Sequence, residues 1–177
     1  MNINIDTINF IYHFSYGSNM ADFRIKSNCP NAERIFLGKL EDFQFGFGPY
    51  FSYSWNGNAA TIVPKKNYHV WGSIWKIPKK EILKLDNQES VHKNVYFTKY
   101  LRINVYDFEG NFLNILSCYV YILTDNIVGY LPSKSSLYTI IEGAQQSKLP
   151  NYYIDYLQQF EHNGRETFVL DMSKTNI

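Results

Sequence analysis

Apolar and polar residues alternate along several stretches of the chain, and this period of two predicts β-strands. The predicted strands lie at about 9–16, 34–47, 58–64, 68–77, 95–106 and 112–124. Glu109-Gly110-Asn111 separates the last two and predicts a hairpin turn. Residues 46–54, rich in Gly, Tyr and Phe, indicate a surface loop. Trp55, Trp71 and Trp75 fit strand packing better than catalysis.

A helical period marks four further segments. These predicted helices lie at about 20–27, 79–89, 134–146 and 150–160. Pro78 is placed for the first turn of the second helix, and Leu149-Pro150 separates the last two. The mixture predicts an α+β domain that spans residues 1–177, with a core at about 8–168 and loose ends at 1–7 and 171–177.

The segment Tyr16-Gly17-Ser18-Asn19-Met20 follows an apolar run and opens onto the first predicted helix. Gly17 can adopt a positive φ, which lets a backbone approach a ligand closely. Asn19 is a good N-cap residue, and Asp22 three residues later predicts a capping box. The free N–H groups of such a turn can bind a carboxylate or a phosphate. The sequence therefore predicts an anion site here.

Glu89 is a carboxylate in an apolar context. It follows Ile82 by seven residues and Leu85 by four, so on a helix it shares their apolar face. Desolvation there would raise its pKa towards neutrality, which suits a group that moves protons. The alternative is that the helix ends near Asn87 and Glu89 is a solvated loop residue.

Several segments, in this order along nearly the whole chain, resemble the γ-glutamylcyclotransferase family. They are Tyr-Gly-Ser-Asn-Met at 16–20, Gly-Asn-Ala-Ala-Thr-Ile-Val-Pro at 57–64, Val-Trp-Gly-Ser-Ile-Trp at 70–75, Leu-Asp-Asn-Gln-Glu at 85–89, Tyr96, residues 118–124, Pro132-Ser133 and Glu142-Gly143-Ala144. The resemblance implies a twisted, partly closed mixed β-sheet or barrel with flanking helices and a pocket at one end.

The resemblance also implies an activity and a set of site residues. The expected reaction cyclises the γ-glutamyl group of L-γ-glutamyl amino acids to 5-oxoproline and releases the free amino acid. Glu89 matches the family's catalytic acid/base. The loop that holds the glutamyl group matches Tyr16, Gly17, Ser18, Asn19 and Met20, and two pocket tyrosines match Tyr96 and Tyr121. No cofactor is expected.

Two positions depart from the family pattern. Ser90 stands where the family usually has Gly after the catalytic Glu, and Ser136 stands where it tends to have Tyr. Two alternatives stay open for these reasons: an enzyme specific for glutathione or for γ-glutamylamines, and an inactive interaction module of the same fold. Glutathione-specific relatives resemble Tyr-Gly-Ser-Leu and γ-glutamylamine enzymes Tyr-Gly-Thr-Leu in the first loop, so Ser18-Asn19-Met20 favours γ-glutamylcyclotransferase proper.

Composition narrows the class of protein. The chain has 177 residues and a formal net charge of +1, which argues against a nucleic-acid partner. No stretch is long and apolar enough to predict a membrane span, and His13, His69, His92 and His162 lack metal-ligand spacing. Cys29 and Cys118 are expected to be reduced thiols in a cytoplasmic protein. The expected partner is a small γ-glutamyl substrate, and a homodimer is left open.

Overall fold

Five strands, four α-helices and two 3₁₀ turns build the fold in the computed structural model, which describes residues 6–167. The strands are β1 Phe10–Ser15, β2 Glu33–Ser52, β3 Gly57–Pro78, β4 Tyr96–Tyr106 and β5 Phe112–Leu123. The helices are α1 Asp22–Lys26, α2 Lys79–Gln88, α3 Lys134–Gln146 and α4 Asn151–Gln158, and the 3₁₀ turns are Ser18–Met20 and Val91–Lys93. Apart from Asp6 and Thr7, the predicted loose ends at 1–7 and 171–177 lie outside the described residues.

The strands close into a barrel in the order β1, β3, β2, β4, β5. Neighbouring strands are antiparallel except at the closure, where β1 runs parallel to β5 and His13 pairs with Tyr119. The inside is filled by apolar residues such as Phe14, Val105 and Val120, each fully buried. The expected α+β fold with a mixed sheet and flanking helices is confirmed, and the sheet is fully closed.

Residues 57–78 form one strand, so the prediction of separate strands at 58–64 and 68–77 is wrong. The register between β2 and β3 shifts between Glu41 and Phe43, where Asp42 adopts a positive φ of 60°. Asn67, opposite the shift, has a φ of 66°, and its N–H donates to Asp42 Oδ1 at 2.9 Å. An irregularity of this kind bends a strand without ending it.

The predicted surface loop at 46–54 is also wrong, because β2 continues to Ser52. Its glycines are needed for close packing. A Cβ atom at Gly46 would lie 2.7 Å from Val128 Cγ1, and one at Gly48 would lie 2.6 Å from Leu123 Cδ1. Only the tip at 53–56 is a turn, and Tyr53 there is exposed.

Helix α3 packs against the segment that follows β1. A Cβ atom at Gly143 would lie 2.5 Å from Ala21 N and 2.6 Å from Met20 C, so only glycine allows this approach. The N-terminus of α3 is capped by Ser133, whose Oγ accepts a hydrogen bond from Ser136 N at 3.0 Å. The turn Ser18–Met20 is therefore held between the barrel end and α3.

Candidate active site

A cavity of about 150 Å³ opens at the end of the barrel where β1 runs into the turn Ser18–Met20. Its wall is formed by this turn, the C-terminal end of α2, the β2–β3 turn and the first half of α3. Both segments that the sequence marks for function, the Tyr-Gly-Ser-Asn turn and Glu89, therefore line the same cavity. Its volume suits a small organic group.

Asn19 contacts Glu89 directly. Its Nδ2 donates to Glu89 Oε1 at 2.9 Å, across a sequence separation of 70 residues. The predicted capping box is wrong: Ala21 is the N-cap of α1, and no side chain caps that helix. Gly17 has a φ of −112°, so its expected positive φ is wrong as well. The Asn19 side chain therefore hydrogen-bonds to the Glu89 carboxylate and does not cap the helix.

Gln88 completes a hydrogen-bonded triangle with these two residues. Its Nε2 donates to Asn19 Oδ1 at 2.9 Å and to Glu89 Oε1 at 2.7 Å. The Gln88 side chain is itself fixed, because its Oε1 accepts from Asn28 Nδ2 at 2.5 Å. Both donors reach Oε1 of Glu89, which leaves Oε2 outside the triangle and able to meet a substrate proton.

The position of Glu89 decides between the two readings of the sequence. Helix α2 ends at Gln88 and Glu89 is its C-cap, as the alternative expected, but Glu89 is half-buried and lines the cavity. Burial raises the pKa of Glu89, while the hydrogen bond from Gln88, the charge of Arg24 and the hydrogen bond from Asn19 oppose the rise. The net direction is upward, which is the direction that favours proton exchange near neutral pH.

Tyr16 of the loop and the two expected pocket tyrosines, Tyr96 and Tyr121, all line the cavity. Their hydroxyls donate to Tyr121 O at 2.5 Å, Ala60 O at 2.7 Å and Asp86 Oδ1 at 2.7 Å, respectively. Burial raises the pKa of each hydroxyl, so all three are neutral. Because each proton is held by a protein acceptor, the hydroxyls can only accept a hydrogen bond from a ligand.

The remaining residues of the loop differ in their placement. Gly17 and Ser18 line the cavity, whereas Met20 is fully buried and is not among the lining residues. The first hydrogen bonds of the turn run from Met20 N to Gly17 O and from Ala21 N to Ser18 O, each at 3.0 Å. The N–H groups of residues 17–19 precede these bonds and have no acceptor within the turn.

Both residues that depart from the family pattern also line the cavity. Ser90 adopts the left-handed conformation, with a φ of 53° and a ψ of 39°, where glycine is favoured. Ser136 is buried at the first turn of α3, and its side chain is shorter than the tyrosine that the family tends to have there.

Arg24 and Trp55 are among the cavity-wall residues that sequence reasoning missed. Arg24 of α1 lines the cavity, and its Cζ lies 5.5 Å from the centroid of the Trp55 ring. Trp55 belongs to the β2–β3 turn, so its expected role in strand packing is wrong. Helix α1 is too short to show a period that would mark the face of Arg24. A tryptophan next to the turn signal Asn56-Gly57 was the available clue.

A buried histidine lies beside the tyrosines. His13 lines the cavity, and its Nδ1–H donates to Tyr119 O at 2.9 Å. Burial lowers the pKa of His13 to about 4, so the ring is neutral at ordinary pH. The tautomer set by the carbonyl leaves Nε2 as an acceptor.

Residues 6–167 contain no cluster of three or more His, Cys, Asp or Glu placed to hold a metal ion. Over the same residues, no helix has both the length and the apolar character to cross a membrane.

Known proteins resemble this chain in sequence and in structure. Residues 69–157 match the model of the AIG2-like family. The γ-glutamylcyclotransferase of Mus musculus is 34% identical over 157 residues, which cover 87% of this chain and 80% of that protein. The Homo sapiens protein of the same name is 33% identical over 161 residues, covering 89% and 82%. A solved structure named γ-glutamyl cyclotransferase superposes with a TM-score of 0.84 at 28% identity, covering 93% of this chain and 96% of that one. The chain belongs to the γ-glutamylcyclotransferase family.

Proposed function

We propose that this protein converts L-γ-glutamyl amino acids into 5-oxoproline and the free amino acid, with Glu89 as general acid and base. The family membership makes it an enzyme of the γ-glutamylcyclotransferase type. The observation that carries the role of Glu89 is its half-buried carboxylate, which lines the cavity and is hydrogen-bonded to Asn19 of the Tyr-Gly-Ser-Asn turn.

The reaction needs no nucleophile from the protein. The α-amino nitrogen of the substrate attacks its own γ-carbonyl carbon, a new C–N bond closes the five-membered ring, and the original amide C–N bond breaks. Holding the glutamyl chain folded can supply roughly 7–11 kcal/mol through oriented intramolecular attack. Two protons must move, because a protonated amine cannot attack and the departing nitrogen must receive a proton.

Glu89 can move both protons in sequence. Oε2 lies outside the triangle with Asn19 and Gln88, so it can take a proton from the attacking amine and return it to the leaving nitrogen. Burial raises the pKa of Glu89, which brings it closer to the pKa values of the attacking amine and the leaving nitrogen. The N–H groups of Gly17, Ser18 and Asn19 are proposed to hold the glutamyl group, with Tyr16, Tyr96 and Tyr121 as the wall.

Asn19 supports a dipeptide substrate over glutathione or γ-glutamylamines. The first loops of those two branches carry Leu at the position of Asn19, and leucine cannot donate a hydrogen bond to the carboxylate. In this chain that donor reaches Glu89 at 2.9 Å. A side-by-side assay of γ-Glu-Ala, glutathione and γ-glutamyl-lysine isopeptide separates the three; we expect γ-Glu-Ala to be turned over fastest.

The test of the proposal is release of 5-oxoproline, detected by mass spectrometry. We expect Glu89→Gln and Glu89→Ala to lower kcat by about 10²–10⁴-fold, the usual contribution of a positioned acid or base. Glu109→Gln, which changes an exposed carboxylate at the β4–β5 hairpin, is the matched control and should keep the wild-type rate. Near wild-type turnover by both Glu89 variants would refute the assignment.

We also propose a cytoplasmic location, which is supported by two buried cysteines that form no disulfide. The small γ-glutamyl substrate is the partner that the cavity supports. Formation of a homodimer and the lack of a nucleic-acid partner stay predictions from the sequence.

A further inference from the structure

The cavity contains one positive charge that the proposed chemistry does not use. Among the described residues that line it, Arg24 is the one Lys or Arg and Glu89 is the one carboxylate. Arg24 is half-buried, and its Nε is buried without a hydrogen-bond partner in the part of the chain that the structure describes. Its side chain makes no ion pair with Glu89. A buried guanidinium N–H without an acceptor is costly unless a ligand supplies one.

Arg24 also lies beside the β2–β3 turn, whose tip is exposed to solvent. Its Cζ stands over Trp55, which belongs to the exposed turn at 53–56, where Tyr53 is 89% exposed. Glu89 and its partners Asn19 and Gln88 occupy a different part of the wall, at the turn after β1 and the end of α2. Arg24 therefore lies beside the β2–β3 turn, outside the hydrogen-bonded triangle of Glu89, although its charge still lowers the pKa of Glu89.

A γ-glutamyl amino acid presents two carboxylates, one on the glutamyl unit and one on the amino acid that leaves. The leaving amino acid must pass the mouth without crossing the newly closed ring, so its carboxylate lies on the solvent side of the scissile bond. Guanidinium groups bind carboxylates through two parallel N–H donors, which gives both affinity and geometry. The Trp55 ring holds the guanidinium plane by a cation–π contact.

We propose that Arg24 binds the free carboxylate of the departing amino acid and thereby makes the enzyme prefer γ-glutamyl amino acids to γ-glutamyl amines. This inference rests on the proposed function and adds a specificity residue to it. Arg24 acts on the ground state and the transition state of such substrates through the same contact, without taking part in proton transfer.

The test compares γ-Glu-Ala with γ-Glu-alaninamide, which differ in the presence of that carboxylate. The readout is the ratio of their kcat/KM values, followed by 5-oxoproline release. For the wild-type protein we expect a ratio of about 10 to 100, the usual strength of a hydrogen bond to a charged group. In Arg24→Gln the ratio should fall to near 1, and in Arg24→Lys, which keeps the charge but not the fork, it should take an intermediate value.

Lys26→Gln is the matched control, because it removes a positive charge from the same helix at an exposed position outside the cavity wall. Its ratio should equal that of the wild type. A third substrate, with the α-carboxylate of the glutamyl unit converted to an amide, checks the other carboxylate.

The outcomes separate the two proposals. Three results would overturn the role of Arg24 and leave the proposed function intact. The first is a wild-type ratio near 1, and the second is an unchanged ratio in Arg24→Gln. The third is an Arg24→Gln variant that loses discrimination only against the substrate whose glutamyl α-carboxylate is an amide. Failure of the wild-type protein to form 5-oxoproline from any of the three substrates would overturn both. Because the ratio compares two substrates on one protein, partial misfolding of a variant does not imitate the expected result.

Discussion

Removal of the Gln88 side-chain amide should move the pH dependence of the enzyme upward. Gln88 Nε2 donates to Glu89 Oε1 at 2.7 Å, the shorter of the two hydrogen bonds to that oxygen. This bond favours the ionised form and opposes the effect of burial on the pKa of Glu89. In Gln88→Leu the anion loses that donor, so the pKa of Glu89 rises and the active, ionised base is formed only at higher pH.

The size of the shift follows from the strength of the bond. A hydrogen bond to a charged group contributes about 1.5–3 kcal/mol. Glu89 keeps the donor from Asn19 and the attraction of Arg24, and it is half-buried, so the lower end applies. At roughly 1.36 kcal/mol for each tenfold change in a proton equilibrium, the acid limb of the profile should move up by about one pH unit.

The assay is kcat/KM for γ-Glu-Ala, measured between about pH 4 and 9, because this quantity reports the ionisation of the free enzyme. Asn28→Ala is the control. It removes the donor that holds Gln88 Oε1 at 2.5 Å but leaves the amide of Gln88 next to Glu89, so its acid limb should stay near that of the wild type. An acid limb that stays in place in Gln88→Leu, or moves to lower pH, would show that this amide does not support the ionised carboxylate of the base.

Two substitutions of small residues test how the site is held. Ser90→Gly should raise the free energy of unfolding in urea by about 0.5–1 kcal/mol, because Ser90 has a positive φ of 53°. Ser90→Ala is the control and should give no such gain. Equal stability of the two variants would contradict the reasoning. Gly143→Ala should cost about 1–3 kcal/mol and lower kcat/KM, because the new Cβ would lie 2.5 Å from Ala21 N and push α3 off the turn after β1. Glu142→Ala, at an exposed position on the same helix, is its control, and wild-type stability of Gly143→Ala would refute the packing argument.

The sequence predicts most of the regular elements because their patterns are local. Strands β1, β4 and β5 and helices α2 and α3 fall within a few residues of their expected bounds. The errors on β2 and β3 have one cause: residues that commonly end strands are used here for other purposes. Gly46 and Gly48 have no Cβ atom and so leave room for the side chains that pack against them, and Asn67 lies opposite a shift in the register between β2 and β3. Only the packing of distant segments distinguishes these uses from turns.

The site was harder to predict than the fold for the same reason. Asn19 has the sequence features of a helix cap, and only its contact with Glu89 shows what its amide does. Arg24 lies on a helix of five residues, where no pattern marks the inward face. The helical spacing and the family resemblance both marked Glu89, whereas its hydrogen bonds and the cation in the cavity wall depend on how the barrel brings three distant segments together.

One short segment supplies both the support for the carboxylate and the cation. Asn19 hydrogen-bonds to Glu89, and Arg24, five residues later, lines the same cavity beside Trp55. The turn Ser18–Met20 fixes the distance between them, and Gly143 of α3 fixes the turn against the barrel. A shift of this turn would move both residues together, so variants that loosen it should weaken catalysis and substrate preference in parallel. Substitution of Arg24 alone should change substrate preference; because the charge of Arg24 lowers the pKa of Glu89, the acid limb of the pH profile should also move to higher pH but remain present.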